Sequence, residues 1–179
     1  MTDLRITRLE AVFRDTFLAR WNTLLVGGAD EPLYLPASGD CPRHRLIYRA
    51  DYFASALHET AHWCIAGPAR RLRVDFGYWY APDGRSAAQQ RAFEAVEVRP
   101  QALEWTFSEA AGHPFYVSAD NLAGDAGPSP HFVEAVRDQA RAYCQRGLPE
   151  RAHLFAEALA REFGTGNPFD KRRYLRPPA

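Results

Sequence analysis

The stretch Asp51-Tyr52-Phe53-Ala54-Ser55-Ala56-Leu57-His58-Glu59-Thr60-Ala61-His62-Trp63-Cys64-Ile65-Ala66-Gly67-Pro68 reads as one bounded helix. Asp51 is placed to cap it, Gly67-Pro68 to stop it, and Tyr52, Phe53, Ala56, Leu57, Ile65 and Ala66 supply its apolar positions. His58 and His62 therefore lie well inside a helix. Residues four apart on a helix sit about 40° apart around the axis and about 6 Å apart along it, so two imidazoles at that spacing can converge on one ion. A metal centre is the first functional expectation, held by the His-Glu-x-x-His pattern at residues 58–62.

Two imidazoles alone make a weak site, and catalytic metals of this kind take a third protein ligand while leaving positions open for water or substrate. A carboxylate is the natural candidate. Glu94, Glu97, Glu104 and Glu109 all fall on a helical stretch over residues 86–111, in which Pro100 either kinks the helix or opens a second one. Glu97 is preferred, because it lies between Val96 and Val98 just before Pro100, with Glu94 next. Two imidazoles and a carboxylate suit zinc in hydrolases and ferrous iron in oxygenases, and spacing does not separate the two. With zinc, Glu59 activates a bound water for amide hydrolysis, as in a zinc-dependent peptidase. With iron, Glu59 handles protons or supports the ligands.

Outward from this segment, Ile6, Leu9, Val12, Phe13 and Phe17 recur at helical spacing and predict an amphipathic helix over residues 6–18. Gly27-Gly28 ends a short apolar run, and Leu33-Tyr34-Leu35 and Leu46-Ile47-Tyr48 read as short strands among Pro32, Pro36, Gly39 and Pro42. Residues 74–85 pack four aromatics ahead of a Pro-Asp-Gly turn and suggest a strand or ordered loop. Two further amphipathic helices are expected over 131–145 and 150–163, as scaffold. We expect one domain over residues 1–169 and a mobile tail over 170–179, where Lys171-Arg172-Arg173 and a terminal Pro-Pro carry little to bury.

The chain has 179 residues, and 46% of them are hydrophobic, enough for a sizeable core in one unit. Its 22 basic and 22 acidic residues cancel, which argues against a nucleic-acid binder. No secretory signal or membrane-spanning run is read in the sequence, so a cytoplasmic location is expected. Cys41, Cys64 and Cys144 are odd in number and scattered, the pattern of reduced thiols, with Cys64 a small buried hydrophobe. His44, His113, His131 and His153 show no metal-binding spacing.

Longer blocks carry more information than the motif. They are Asp30-Glu31-Pro32-Leu33-Tyr34-Leu35-Pro36-Ala37, Tyr52-Phe53-Ala54-Ser55-Ala56 leading into His58-Glu59, and His62-Trp63-Cys64-Ile65-Ala66-Gly67. To these add residues 74–80, Pro82-Asp83-Gly84-Arg85, Val96-Glu97-Val98-Arg99-Pro100-Gln101-Ala102-Leu103-Glu104-Trp105, Ala110-Ala111-Gly112, Asp120-Asn121-Leu122 and Gly124-Asp125. In these blocks, which span about residues 27–150, the chain resembles the bacterial elongation factor P hydroxylases.

The resemblance implies a non-haem iron monooxygenase that hydroxylates the β-lysylated lysine of elongation factor P, with Fe(II) as cofactor and dioxygen as cosubstrate. It implies His58, His62 and Glu97 as metal ligands, and a fold similar to the HExxH metalloproteases rather than to the jelly-roll oxygenases. That agrees with the helix-rich order above, and the fold class is read as α+β, a helix-rich single domain with a small sheet. A long cationic substrate side chain needs carboxylate and aromatic walls, so Asp75, Tyr78, Tyr80 and Arg85 are expected to shape its pocket. Arg70-Arg71 and Arg73 form a basic patch that could meet an acidic protein partner.

Overall fold

In the computed structural model, which describes residues 4–50, 52–75, 85–119, 127–175 and 178, the periodic apolar stripe of the first segment forms α1 (Leu4–Trp21). Its Ile6, Leu9, Val12, Phe13 and Phe17 are the buried face, as their spacing predicts. Asn22 then adopts φ 49, a left-handed conformation that Asn tolerates, and this turns the chain directly into a strand. Its side-chain amide donates to Pro42 O at 2.7 Å and ties the turn to the strand partner's approach.

The sheet has three strands, β1 (Thr23–Ala29), β2 (Leu33–Leu35) and β3 (His44–Arg49), in the order β1-β3-β2. β1 runs parallel to β3, and β2 antiparallel to it. Period-two alternation points Leu25, Tyr34, Leu46 and Tyr48 into the core. The apolar run ending at Gly27-Gly28 is thus a strand in its own right, one that its sequence hides because it has only Leu24, Leu25 and Val26 before two glycines. Asp75 forms a further antiparallel bridge to Tyr34, with Tyr34 N–H donating to Asp75 O at 2.7 Å. The other residues of the aromatic run, 76–84, lie outside the described residues.

α2 (Phe53–Ile65) follows β3 and carries the histidine pair. Its N-cap is Tyr52, without a side-chain cap, while Asp51 lies outside the described residues. Ser55 Oγ accepts from Arg49 N–H at 3.1 Å and holds the strand-to-helix junction. α3 (Ala87–Ala111) is one continuous helix of 25 residues, started by a capping box between Ser86 and Gln89 and closed by Gly112 at φ 60. Pro100 sits inside it, so it does not open a second helix: the packing around residues 101–111, nearly all buried, holds the helix through the one hydrogen bond that proline cannot make.

α4 (Pro130–Arg146) and α5 (Glu150–Phe163) complete five helices among the described residues, and with the small sheet they make an α+β fold. α3 is the hub, packed by α2, α4 and α5, while α1 and α2 back the sheet. The core between them is aromatic: Phe13 and Phe17 rings lie 4.8 Å apart, Phe17 and Trp63 4.8 Å, and Phe107 and Phe155 5.0 Å.

Packing continues past residue 169, contrary to the expectation of a tail from 170. Lys171–Tyr174 forms a 3-10 turn, and the Tyr174 ring is fully buried against Trp105 at 4.9 Å with its hydroxyl donating to Pro168 O at 2.7 Å. One aromatic outweighs three neighbouring cations here, since burying a ring stabilises by about 1.5–3 kcal/mol. Cys64 is buried and all three thiols are free. Among the described residues, no helix is long and apolar enough to cross a membrane.

Candidate metal centre

α2 is held at a fixed rotation by its back face. Ala56, Leu57, Thr60, Ala61, Trp63 and Cys64 are buried, Trp63 is wedged between Phe13 and Phe17, and the Arg151 guanidinium lies over its indole at 4.4 Å. The opposite face then has to point away from that core, and it carries His58, Glu59 and His62. The ring centroids of the two histidines are 4.7 Å apart, and their Nε2 atoms approach to 3.1 Å.

Glu97, from α3, completes a triangle with them. Its Oε1 is 3.2 Å from His62 Nε2 and its Oε2 3.7 Å from His58 Nε2. Ligand atoms about 2.1 Å from a shared ion would stand about 3.0 Å apart at octahedral angles and about 3.4 Å apart at tetrahedral ones, so the edges of 3.1 and 3.2 Å have the span of ligands on one ion and the 3.7 Å edge is slightly longer. Among the described residues, His58, His62 and Glu97 are the one group of metal-ligating side chains with all its atoms within 4.8 Å. Glu97 is only 6% exposed, and its Oε2 is buried without a hydrogen-bond partner. A buried carboxylate oxygen left in this state is costly unless a cation completes it.

The other three glutamates of α3 each meet a different neighbour. Glu94 braces the residue that caps the next helix: its Oε2 accepts from Ser129 Oγ at 2.6 Å and its Oε1 from Ser129 N–H at 3.2 Å, while Ser129 Oγ itself accepts from Phe132 N–H. Glu109 pairs with Arg173 at 3.1 Å. Glu104 lies 2.8 Å from His58 Nδ1, so that imidazole donates to the carboxylate and turns Nε2 toward Glu97. Such carboxylate–histidine pairs fix the tautomer and ring orientation of a ligand histidine. Sequence reasoning misses this orienting role; the signal for it is the seven-residue interval from Glu97, which puts both carboxylates two turns apart on one face.

The electrostatics favour a cation strongly. Burial alone would lower the His58 pKa, but the charge and hydrogen bond of Glu104, then Glu97 and Glu59, push it up to about 10. Burial works to raise Glu97, yet the hydrogen bond and charge of His62, the charge of His58 and the Gln101 amide hold it down at about 2. Glu59 is raised, by burial against the pull of the two histidines.

A profile of the elongation factor P hydroxylase family matches residues 12–173. The chain is also 46% identical, over 164 residues covering 92% of each sequence, to the elongation factor P lysine hydroxylase of Haemophilus influenzae. This chain belongs to the elongation factor P hydroxylase family. The match extends beyond the blocks that carry the resemblance in sequence, reaching from α1 to the turn containing Tyr174.

In this hydroxylase-family chain the triad lies at the floor of a cleft of about 690 Å³ between α2 and α3. Glu59 lines the cleft and also a small cavity of about 30 Å³ behind it, with His62, Tyr34, Trp63 and Asp75. Of the residues expected to shape a substrate pocket, Arg85 does line the cleft, but its guanidinium is committed to structure. It donates to Gln90 Oε1 at 2.9 Å and Ala119 O at 2.8 Å and lies over Phe93 at 4.1 Å. Asp75 lies on the small cavity instead, its carboxylate paired with Arg70. Tyr78 and Tyr80 lie outside the described residues. Gln101, not singled out in the sequence, clamps the cleft wall: its side chain donates to Ser118 O at 2.8 Å and accepts from Ser118 N–H at 3.0 Å.

Proposed function

We propose that this protein is an iron-dependent hydroxylase of the β-lysylated lysine of elongation factor P, acting in the cytoplasm as a post-translational modifier of the translation machinery. The observation that carries the reading is the His58, His62 and Glu97 triangle at the floor of a cleft, in a chain of this family. The donor set fits Fe(II): two imidazole nitrogens and one carboxylate are the facial set used by non-haem iron oxygenases, and the unpartnered Glu97 Oε2 is the buried atom an ion would complete. Bound there, Fe(II) supplies dioxygen activation, with one oxygen atom entering a substrate C–H bond and an external donor providing electrons.

The chain's own groups have separable roles. Glu104 holds His58 with Nε2 inward. Glu59, partly buried at the cleft and with its carboxyl pKa raised by burial, is placed to hold or release a proton beside the open positions. The buried α2–α3 contact keeps bulk water from the rear of the site, and the cleft admits a long side chain from the front.

The test is direct. Protein reconstituted anaerobically with Fe(II) and then given air, a reductant and β-lysylated elongation factor P should add the mass of one oxygen atom to that substrate, and apoprotein should not. No oxygen added with Fe(II), together with Zn(II)-dependent cleavage of casein, would replace this reading with the zinc peptidase that the HExxH pattern also fits.

A further inference from the structure

The cleft separates its charges in a way the metal chemistry does not require. Among the described residues, the carboxylates lining it, Glu59, Glu97 and Glu104, gather around the histidines. The other charged lining residues among those described are Arg49, Arg70, Arg85 and Arg99. They come from four different segments: the end of β3, the turn after α2, the residue before the α3 cap, and the middle of α3. Two are committed to the fold, Arg70 to Asp75 and Arg85 to Gln90 and Ala119. Arg49 and Arg99 are exposed. The Arg49 guanidinium has no hydrogen bond or ion pair among the described residues, and Arg99 reaches only Tyr143 Oη, at 3.5 Å.

A cleft with an acidic floor and a cationic rim suits a guest of opposite order, a cationic side chain projecting from an acidic surface. We infer that Arg49 and Arg99 form a docking rim that binds carboxylates on the substrate protein's surface beside the lysine that enters the cleft. This rests on the proposed hydroxylation of a modified lysine, because the rim repels the incoming cationic side chain unless carboxylates beside it on the substrate surface offset that charge. A nucleic-acid partner fits less well. Phosphate-driven binding draws on many cations, about 6–10 contacts in a strong complex, whereas two exposed arginines flank an acidic floor here and the whole chain is neutral.

Rim charges act on encounter and are screened by salt, with a range of about 10 Å at 0.1 M. The experiment compares wild type with Arg49→Glu, Arg99→Glu and the double variant, using the iron-loaded protein and β-lysylated elongation factor P at low and high salt. The double variant should raise KM about tenfold or more at low salt, with little loss in kcat, and flatten the salt dependence of kcat/KM. Arg14→Glu, a charge reversal on α1 at a position paired only with Asp15, serves as the control and should leave both unchanged. Metal content and melting temperature should match wild type throughout, since both rim residues are exposed.

An unchanged KM and salt slope in an active double variant overturns the rim, as does equal weakening by the α1 control. Competition by single-stranded RNA that disappears in the double variant also overturns it, in favour of a nucleic-acid partner. Failure of wild type to modify the substrate at all is a different result: it removes the hydroxylase reading itself.

Discussion

α2 and α3 face each other across the cleft, and they build their shares of the site in opposite ways. On α2, the two histidines are four residues apart and act together because a helix turn puts them side by side. On α3, four glutamates of the same type spread over four turns and diverge in role. Glu94 braces the Ser129 cap of α4, Glu97 completes the triangle, Glu104 orients His58, and Glu109 pairs with Arg173. A short motif is read from spacing because its geometry is local. A long buried helix assigns roles by what each turn meets.

Substitutions put this contrast between the helices at risk, starting where the effect is largest. His58→Ala, His62→Ala or Glu97→Ala should abolish Fe(II) binding in anaerobic titration while the circular dichroism spectrum stays helical, because α2 and α3 are anchored by their buried apolar faces. Tight metal binding by Glu97→Ala together with none by Glu94→Ala would reverse the roles given to the two glutamates. A core substitution in the wall behind the histidines, Phe17→Ala, should cost about 3–5 kcal/mol in urea unfolding, since that ring is fully buried against Trp63.

Glu104→Ala should weaken metal binding about 10–100-fold without abolishing it, the usual cost of losing a partner behind a ligand histidine. Glu104→Gln, which can still accept from His58 Nδ1, should recover part of that loss; equal effects of the two variants would show that the carboxylate does not act through the ring. Glu94→Ala should leave metal affinity intact and lower stability by about 1–2 kcal/mol, the scale of a helix cap with its buried hydrogen bonds. Smallest of all, Glu109→Ala should change stability by about 1 kcal/mol or less, as expected for a partly exposed ion pair. If Glu94→Ala and Glu109→Ala cost the same, the cap on α4 is not the reason Glu94 is buried.

Much of the fold is legible in local pattern. The stripe of Ile6, Leu9, Val12, Phe13 and Phe17 marks the buried side of α1, and Gly112 and Gly164 end their helices in the left-handed conformation that glycine permits. Local pattern misleads where partners outweigh it. Thr23–Ala29 is a strand with few β-branched residues, made a strand by its parallel partner β3 rather than by propensity. Pro100 allows a second helix to open, yet α3 runs on through it because the buried residues 101–111 outweigh one lost hydrogen bond. The cationic run at residues 171–173 hides Tyr174, whose ring finds a slot beside Trp105 that no neighbour in sequence announces.

At the site, the histidine pair follows from sequence alone, because the spacing of four and the helical periodicity around it are properties of a single helix. The resemblance of longer blocks added Glu97. It took the packed fold to show that Glu94 is held by Ser129, that Glu104 stands behind His58, and that Arg85 is bound to Gln90 while Arg49 is left facing the cleft. Residues on successive turns of one helix face are equivalent until another element packs on them. The crossing of α2 over α3 gives each turn a different neighbour, and with it a different charge, donor or cavity to meet.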